Sequence, residues 1–244
     1  MKSDIFNNEL NYIQNIDIKE FARYALNNLQ DYFYKVPASS TGKYHPSYAL
    51  GDGGLVRHTK AAVGFANHLL QLEQYQQIFD ERQRDMIIVA LLLHDGVKHG
   101  NDGSRYTVHE HPKLMADWIV QSELFEEVLP QEDRLYIAHC IASHMGSWNT
   151  NKRSKIVLPK PQTESQKFVH MCDYLASRKN IEFIFSGEDG NRQEDTIDNY
   201  RLTFGKYRGE LLVDVAKKEK SYLEWLKGNL ELREPLKSYI DKLI

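Results

Sequence analysis

Four histidines and two aspartates of this chain have the spacing expected of metal ligands in a helical protein. They are His58, His94, Asp95, His111, His144 and Asp173. Imidazole nitrogens and carboxylate oxygens bind divalent cations, and adjacent side chains such as those of His94 and Asp95 can reach one ion or bridge two. Apart from that pair, a predicted helix or loop separates each residue from the next. Helical bundles build metal sites in this way, with single ligands from several helices aimed at one cavity.

We expect these residues to hold two divalent transition-metal ions, with Mn, Fe, Co, Ni, Zn or Mg as candidates. One ion is predicted to be held by His58, His94, Asp95 and Asp173. The second is predicted to be held by His111 and His144, with Asp95 bridging the two ions. Two neighbouring ions can share a water or hydroxide, lower its pKa and clamp a phosphate. Lys98 follows Asp95 closely and is expected to neutralise phosphate charge. Asp95 and Lys98 are therefore the candidate catalytic residues.

Each candidate ligand also has a simpler explanation, which the sequence alone leaves open. His58 could merely follow a helix start, and His111 precedes a proline and could be a surface cap. His144 could interact with the dipole at the end of a helix. Asp173 is harder to explain otherwise, because it lies among apolar residues, where an unpaired carboxylate is costly to bury.

Neighbouring histidines compete for two of the ligand positions, His109 with His111 and His139 with His144. Three others are expected at the surface or behind the ligands: His68, His99 and His170. The role of His45 stays open.

The elements that would position the ligands are helices. Residues 86–93 (MIIVALLL) are apolar on every face and end at His94-Asp95, a pattern typical of a buried helix too short to cross a bilayer. Further helices are expected at two places within 4–35, over about 55–76, after Pro112, over 131–145 and from 163 to about 176. In the tail we expect a short strand or hairpin over 200–207, then short helices over 209–217, 220–227 and 234–243.

The predicted fold class is therefore mainly α, a helical bundle with a small α+β C-terminal module. A charged, glycine-containing stretch over 186–199 divides the chain into residues 1–186 and 187–244. The net charge of −3 gives no general attraction to nucleic acid or to an anionic membrane, so polyanion binding must be local. The two cysteines and the absence of an apolar leader near Met1 suggest a reducing, cytoplasmic location without membrane association. The sequence does not indicate an oligomeric state.

Five segments, in order, resemble the motifs of the HD-domain metal-dependent phosphohydrolases. They are residues 53–59 (GGLVRHT), 92–98 (LLHDGVK), 106–112, 143–146 (SHMG) and Asp173. The chain is most similar to the bacterial HD-domain 3′→5′ exoribonucleases, which also carry a Pro-x-Thr-Glu stretch like residues 161–164. It departs from them at Met145, where a second histidine is usual, and at Gly96-Val97. The resemblance implies an HD-domain bundle that hydrolyses phosphodiester bonds at nucleic-acid 3′ ends with a metal-activated hydroxide.

The tail carries a second resemblance, over residues 204–210 and 222–226, to a small module at the C-terminus of some proofreading-type exonucleases of phages and bacteria. Lys206 and Arg208 beside Tyr207 offer charge and a stacking face. The alternative is a packing module without a ligand. The predicted substrate contacts are Lys98, Arg153, Lys155, Lys206, Tyr207 and Arg208.

Three functions remain open at this point. The first is hydrolysis of a nucleic-acid 3′ end, which the basic stretch at residues 152–160 and the tail favour. The second is hydrolysis of a small nucleotide, such as a dNTP, a nucleoside monophosphate or a cyclic nucleotide, which the net charge favours. The third is metal binding without turnover.

Overall fold

The residues that the structure describes are mostly helical, with almost no strand among them, which confirms the predicted mainly α class. A computed structural model describes residues 1–39, 45–104, 106–181, 197–198, 200–202, 204–207, 209–230, 232 and 236–244. The chain divides into two compact units, Met1–Phe183 and Ile184–Ile244. The predicted roles of the two parts, a phosphohydrolase domain and a nucleic-acid-binding module, stay predictions. No helix in the described ranges combines the length and apolar character that a membrane span requires.

The helices of the first unit are α1 (Asn7–Leu10), α2 (Ile16–Asn28), α3 (Gly54–Leu69), α4 (Glu73–Ile78), α5 (Glu81–Leu93), α6 (His111–Gln121), α7 (Gln131–Ala142) and α8 (Glu164–Ala176). Those of the second unit are α9 (Leu212–Lys218), α10 (Lys220–Asn229) and α11 (Leu236–Leu243).

Helix α5 lies at the centre of the first unit. It begins with a capping box, in which the Asp80 carboxylate accepts from Gln83 N at 2.7 Å and the Gln83 side chain accepts from Asp80 N at 3.1 Å. Every residue from Asp85 to Leu93 is buried, and the helix packs against α2, α3, α7 and α8. Because α5 ends at Leu93, the next two residues, His94 and Asp95, emerge inside the core.

Two glycines fix the start of α3. Gly53 has φ of +68°, which favours glycine, and a Cβ on Gly54 would lie 2.3 Å from Ala49 O. This close approach sets the direction in which α3 carries His58. The predicted extension of this helix to about residue 76 is wrong. The chain leaves the helix after Leu69, because Leu72 has an extended backbone (ψ 137°) and precedes the separate helix α4.

Helix α8 begins at the predicted position. The Thr163 hydroxyl accepts from Gln166 N at 3.3 Å, and the Gln166 side chain accepts from Thr163 N at 3.1 Å. The helix packs against α3, α5 and α7, which carry or precede the other candidate ligands except His111. This packing turns Asp173 toward His58.

The described residues do not support the predicted α+β character of the tail. In the described part of the second unit the strand-like pairing is a single isolated bridge between Arg201 and Leu211. Around this bridge Leu202 N donates to Glu210 O at 3.0 Å and Leu212 N donates to Tyr200 O at 2.7 Å, a hairpin-like pairing confined to a few described residues. The unit is held instead by a buried apolar cluster of Leu202, Tyr207, Leu212, Val215, Leu223, Leu226, Leu236 and Ile240.

Candidate metal centre

The candidate ligands converge as two groups of three. One group is His58, His94 and Asp173, and the other is Asp95, His111 and His144. Within each group the possible ligand atoms lie within 4.8 Å of one another. His58 lies on α3 and Asp173 on α8, while the other four side chains stand at helix ends.

In the first group, the atoms that face one another are two imidazole nitrogens and a carboxylate oxygen. His58 Nε2 lies 3.0 Å from Asp173 Oδ1 and 3.4 Å from His94 Nε2. His94 Nε2 lies 3.5 Å from Asp173 Oδ1. His58 and His94 are almost completely buried, so this set of donors is shielded from bulk water.

Asp95 faces both groups. Its Oδ1 lies 2.9 Å from His111 Nε2 and 3.8 Å from His144 Nε2. Its Oδ2 lies 3.5 Å from His94 Nε2 and 3.9 Å from His58 Nε2. The two oxygens of one carboxylate are thus directed at the two groups, an arrangement suited to a bridging ligand.

Three of the histidines are oriented by the same local contact. The Nδ1–H of His94 donates to Leu91 O at 2.7 Å, that of His111 to Val108 O at 2.7 Å, and that of His144 to Ile141 O at 2.8 Å. In each case the acceptor is the carbonyl three residues earlier. A carbonyl oxygen can only accept, so Nδ1 carries a proton, and each ring in its neutral form presents a lone pair at Nε2. Metal-binding histidines are commonly fixed by such contacts.

The donor set fits a divalent cation. His111 Nε2 and His144 Nε2 lie 3.3 Å apart, and Asp95 Oδ1 is close to both. With neutral rings, all three atoms are acceptors, and buried acceptors that face one another without a cation or a proton are costly. The mixture of imidazole and carboxylate suits Zn, Fe, Ni, Co and Mn better than an all-oxygen site would.

The electrostatics of the two carboxylates agree with a cation-binding role. Burial opposes ionisation of Asp95, but the Lys98 ammonium and the neighbouring imidazole rings outweigh it and hold the pKa of Asp95 well below its usual range. Burial likewise opposes ionisation of Asp173, but the His58 and His94 rings beside it outweigh burial and hold the pKa of Asp173 well below its usual range. Both groups are therefore carboxylates near neutral pH.

The environment of His144 disfavours a second proton on its ring. Burial is the main cause, and it lowers the pKa of His144 to about 3. A ligand histidine must be neutral to offer its lone pair, so the burial of His144 agrees with its candidate role.

Lys98 lies at the edge of the centre. Its ammonium hydrogen-bonds to Asp95 Oδ2, and the side chain is 12% exposed. The structure therefore brings Lys98 to the shared carboxylate, and its contact with a phosphate stays a prediction.

The competing histidines lie elsewhere. His139 is exposed on α7, whereas His144 faces the centre. His109 is half-buried and precedes α6, whereas His111 lies within the second group. His45, whose role the sequence left open, has its ring centroid 5.4 Å from that of His58.

The basic loop, residues 151–160, is hydrogen-bonded to the residue that precedes His111. The Ser154 hydroxyl donates to the carboxylate of Glu110, the residue that precedes His111. Arg153 and Lys155 flank Ser154 and are exposed, and neither forms an ion pair within the described ranges. The loop therefore presents these two cations, fastened through Ser154 to the segment that carries His111.

The tail residues are arranged differently from the predicted open stacking face. Lys206 Nζ lies 2.7 Å from Glu219 Oε2, and Tyr207 is 7% exposed. The ammonium groups of Lys206 and Lys218 each lie 5.0 Å from the centroid of the Tyr207 ring. Arg208 lies outside the described residues. The role of these three residues in substrate binding stays a prediction.

Comparison with known proteins relates the chain to exonucleases. A family described as the exodeoxyribonuclease X-like C-terminal region matches residues 202–231. Exodeoxyribonuclease 10 of Escherichia coli strain K12 is 27% identical over 166 residues, which cover 61% of this chain and 70% of the relative. The protein of the same name from Escherichia coli O6:H1 matches equally. No solved structure matches. The predicted relationship of the chain to exonucleases is thus confirmed, including the resemblance of the tail to an exonuclease C-terminal module.

Two aromatic residues near the centre were missed by sequence reasoning. Trp148 ends the short 3-10 turn that begins two residues after His144, and Tyr174 follows Asp173 directly. Both side chains are more than a third exposed. Their adjacency to candidate ligands was the signal available in the sequence.

Proposed function

We propose that this protein is a metal-dependent phosphohydrolase of the HD-domain kind, which hydrolyses phosphodiester bonds at nucleic-acid 3′ ends. The observation that carries the proposal is the arrangement of the three oriented histidines. Their Nε2 lone pairs and the carboxylates of Asp95 and Asp173 are aimed at shared points. The ordered HD-type motifs and the similarity to exodeoxyribonuclease 10 support the reaction class.

The proposed ligands are His58, His94, Asp95 and Asp173 for one ion, and His111, His144 and the shared Asp95 for the other. Ions bound in this manner lower the pKa of water and stabilise charge on phosphate oxygens. The protein's own contribution is to hold the imidazole rings in one tautomer. It also excludes bulk water by burying His58, His94, His111 and His144.

Cationic side chains would receive the substrate phosphates. Lys98 is placed by its hydrogen bond to Asp95, so its ammonium lies beside the reacting phosphate when that phosphate reaches the centre. Arg153 and Lys155 would bind the next phosphates along the strand, because Ser154 fastens them to the segment that carries His111. In the tail, Lys206 would exchange its ion pair with Glu219 for a phosphate, beside Tyr207 and Arg208.

A small nucleotide is the second candidate substrate, and the observation that favours it is the net charge of −3. Such a substrate needs fewer cationic contacts than a polymer does. It would use the proposed ions and Lys98, and it would leave Arg153 and Lys155 without a function.

The experiment that separates these functions is a turnover panel in the presence of Mn²⁺. It compares 3′-labelled DNA and RNA oligonucleotides with dNTPs, nucleoside monophosphates and cyclic nucleotides. We expect the 3′ label to be released as a mononucleotide. Turnover of small nucleotides alone would favour the second candidate. Metal binding without turnover of any substrate would show a non-catalytic metal protein.

A further inference from the structure

Trp148 and Tyr174 form an exposed aromatic pair. Their ring centroids are 5.8 Å apart, and the ring planes differ by 17°. Trp148 is 52% exposed and Tyr174 is 38% exposed. Large rings held nearly parallel, with this much surface in water, offer planar apolar area to a flat partner.

A guanidinium group adjoins the pair. Arg178 Cζ lies 4.3 Å from the centroid of Tyr174 and 6.0 Å from that of Trp148. The Arg178 Nη2 donates to Ser177 Oγ at 2.8 Å, which steadies the group. Arg178 forms no ion pair within the described residues, so its charge is available to an anionic ligand.

His170 connects the aromatic pair to the candidate metal centre, because it contacts both rings and the backbone of His144. The ring Nδ1–H of His170 donates to His144 O at 2.6 Å, and the ring centroid lies 6.3 Å from those of Trp148 and Tyr174. Gly146, at φ of +57°, allows the close approach, since a Cβ there would lie 2.2 Å from His170 Cε1. The pair is thus linked to His144 on one side and follows Asp173 on the other.

We propose that Trp148, Tyr174 and Arg178 form a stacking site for one base of a single-stranded nucleic acid whose 3′ end lies at the metal centre. The inference rests on the proposed function and names a base-binding site within it. An aromatic ring accepts any base by stacking, and a guanidinium group adds charge for the neighbouring phosphate. The basic loop begins a few residues after Trp148 and continues the cationic surface.

The test measures how much a single base of the substrate lowers KM. A series of 3′-labelled oligothymidylates carries one abasic residue at successive positions from the 3′ end. For the wild-type protein we expect the abasic residue at one position to raise KM by about 5- to 150-fold, the range typical of losing one stacked base. In Trp148→Ala, and in Tyr174→Ala, the penalty at that position should disappear, and Trp148→Phe should restore it.

Tyr24→Ala is the matched control, because Tyr24 is also 38% exposed and lies on α2. Tyr24→Ala should show the same rise in KM with the abasic strand as the wild-type protein does. The proposal is overturned if Trp148→Ala and Tyr174→Ala keep the penalty, or if no position shows one in the wild-type protein. Either result would leave hydrolysis of the oligonucleotide, and hence the proposed function, intact.

Binding provides a readout that does not need turnover. Tryptophan fluorescence of the Asp95→Asn protein is titrated with oligothymidylate and with its abasic counterpart. We expect tighter binding of the intact strand, and no such preference in Asp95→Asn combined with Trp148→Ala. A base-dependent, Trp148-dependent affinity in a wild-type protein without turnover would support the stacking site and sink the proposed hydrolysis. Equal affinity for the two strands would overturn the stacking site.

Discussion

His111 Nε2 and His144 Nε2 lie 3.3 Å apart while the Nδ1 of each ring donates to its own backbone carbonyl. When both rings are neutral, their Nε2 lone pairs face each other inside the protein, beside Asp95 Oδ1. A divalent cation between these atoms removes the repulsion and satisfies the carboxylate.

Replacement of Lys98 should separate turnover from metal binding. Lys98→Ala removes the cation beside Asp95 Oδ2. We expect turnover to fall by at least about tens-fold, as for the loss of one group that stabilises developing charge, while bound metal is retained. Lys113→Ala, which removes an exposed lysine paired with Asp117, is the control and should leave turnover unchanged. If metal content fell together with turnover in Lys98→Ala, Lys98 would serve the carboxylate rather than the phosphate.

Gly54→Ala should destabilise the fold, because the added Cβ would lie 2.3 Å from Ala49 O. Overpacking of this kind costs about 1–3 kcal/mol, measured as the free energy of unfolding in urea. Gly228→Ala in α10 is the matched control, since nothing lies within 4 Å of its Cβ position. It should change stability by no more than about 1 kcal/mol, in the stabilising direction. Equal effects of the two substitutions would show that the contact at Ala49 is not constraining.

The two thiols should be unreactive in the native protein. Cys140 and Cys172 are free and buried, and burial raises the pKa of Cys140 to about 12. At pH 8 a thiol reagent should therefore modify neither residue until denaturant is added. A thiol that reacts fast in the native protein at this pH would contradict the burial.

The same shift gives a pH dependence of stability. An unfolded thiol titrates near its ordinary pKa of 9.0, whereas folded Cys140 titrates at about 12. Between these values the unfolded state binds fewer protons than the folded state, so the free energy of unfolding falls as pH rises above about 9. Urea unfolding of wild type and Cys140→Ala at several pH values measures the effect. The variant should lose less stability between pH 8 and pH 10 than the wild type does, and parallel losses would exclude this origin.

Arg153 and Lys155 should control the salt dependence of oligonucleotide binding. Replacing both with Ala should raise KM for an oligonucleotide and reduce the slope of log affinity against log salt by about 1.4, for two phosphate contacts with a single strand. Lys167→Ala, which removes an exposed lysine paired with Glu164, should leave the slope unchanged. An unchanged slope in the double variant would place the strand elsewhere and favour a small-nucleotide substrate.

Sequence reasoning recovered the parts of the molecule that local pattern determines. The apolar run before His94 specifies a buried helix, and Thr163-Glu164-Ser165-Gln166 specifies the start of α8, because each signal lies within a few residues. In the tail, the described residues show only an isolated bridge between Arg201 and Leu211 where the sequence predicts a short strand or hairpin.

Contacts between distant segments had no comparable signal. The Trp148–Tyr174 pair depends on how the turn after α7 packs against α8, and no periodicity in the sequence reports that packing. The link between Ser154 and Glu110 is of the same kind. Such contacts are decided by tertiary packing, whereas the candidate ligands could be recognised by residue type and by their places at helix ends.

The most direct test of the central claim is elemental analysis of metal bound to the purified wild-type, Asp95→Ala and His139→Ala proteins. Asp95 faces both groups of candidate ligands, whereas His139 is exposed on α7. The wild-type and His139→Ala proteins should carry the same amount of transition metal, approaching two ions per chain, and Asp95→Ala should lose most of it. Wild-type metal content in Asp95→Ala, with the protein folded, would contradict the proposed centre.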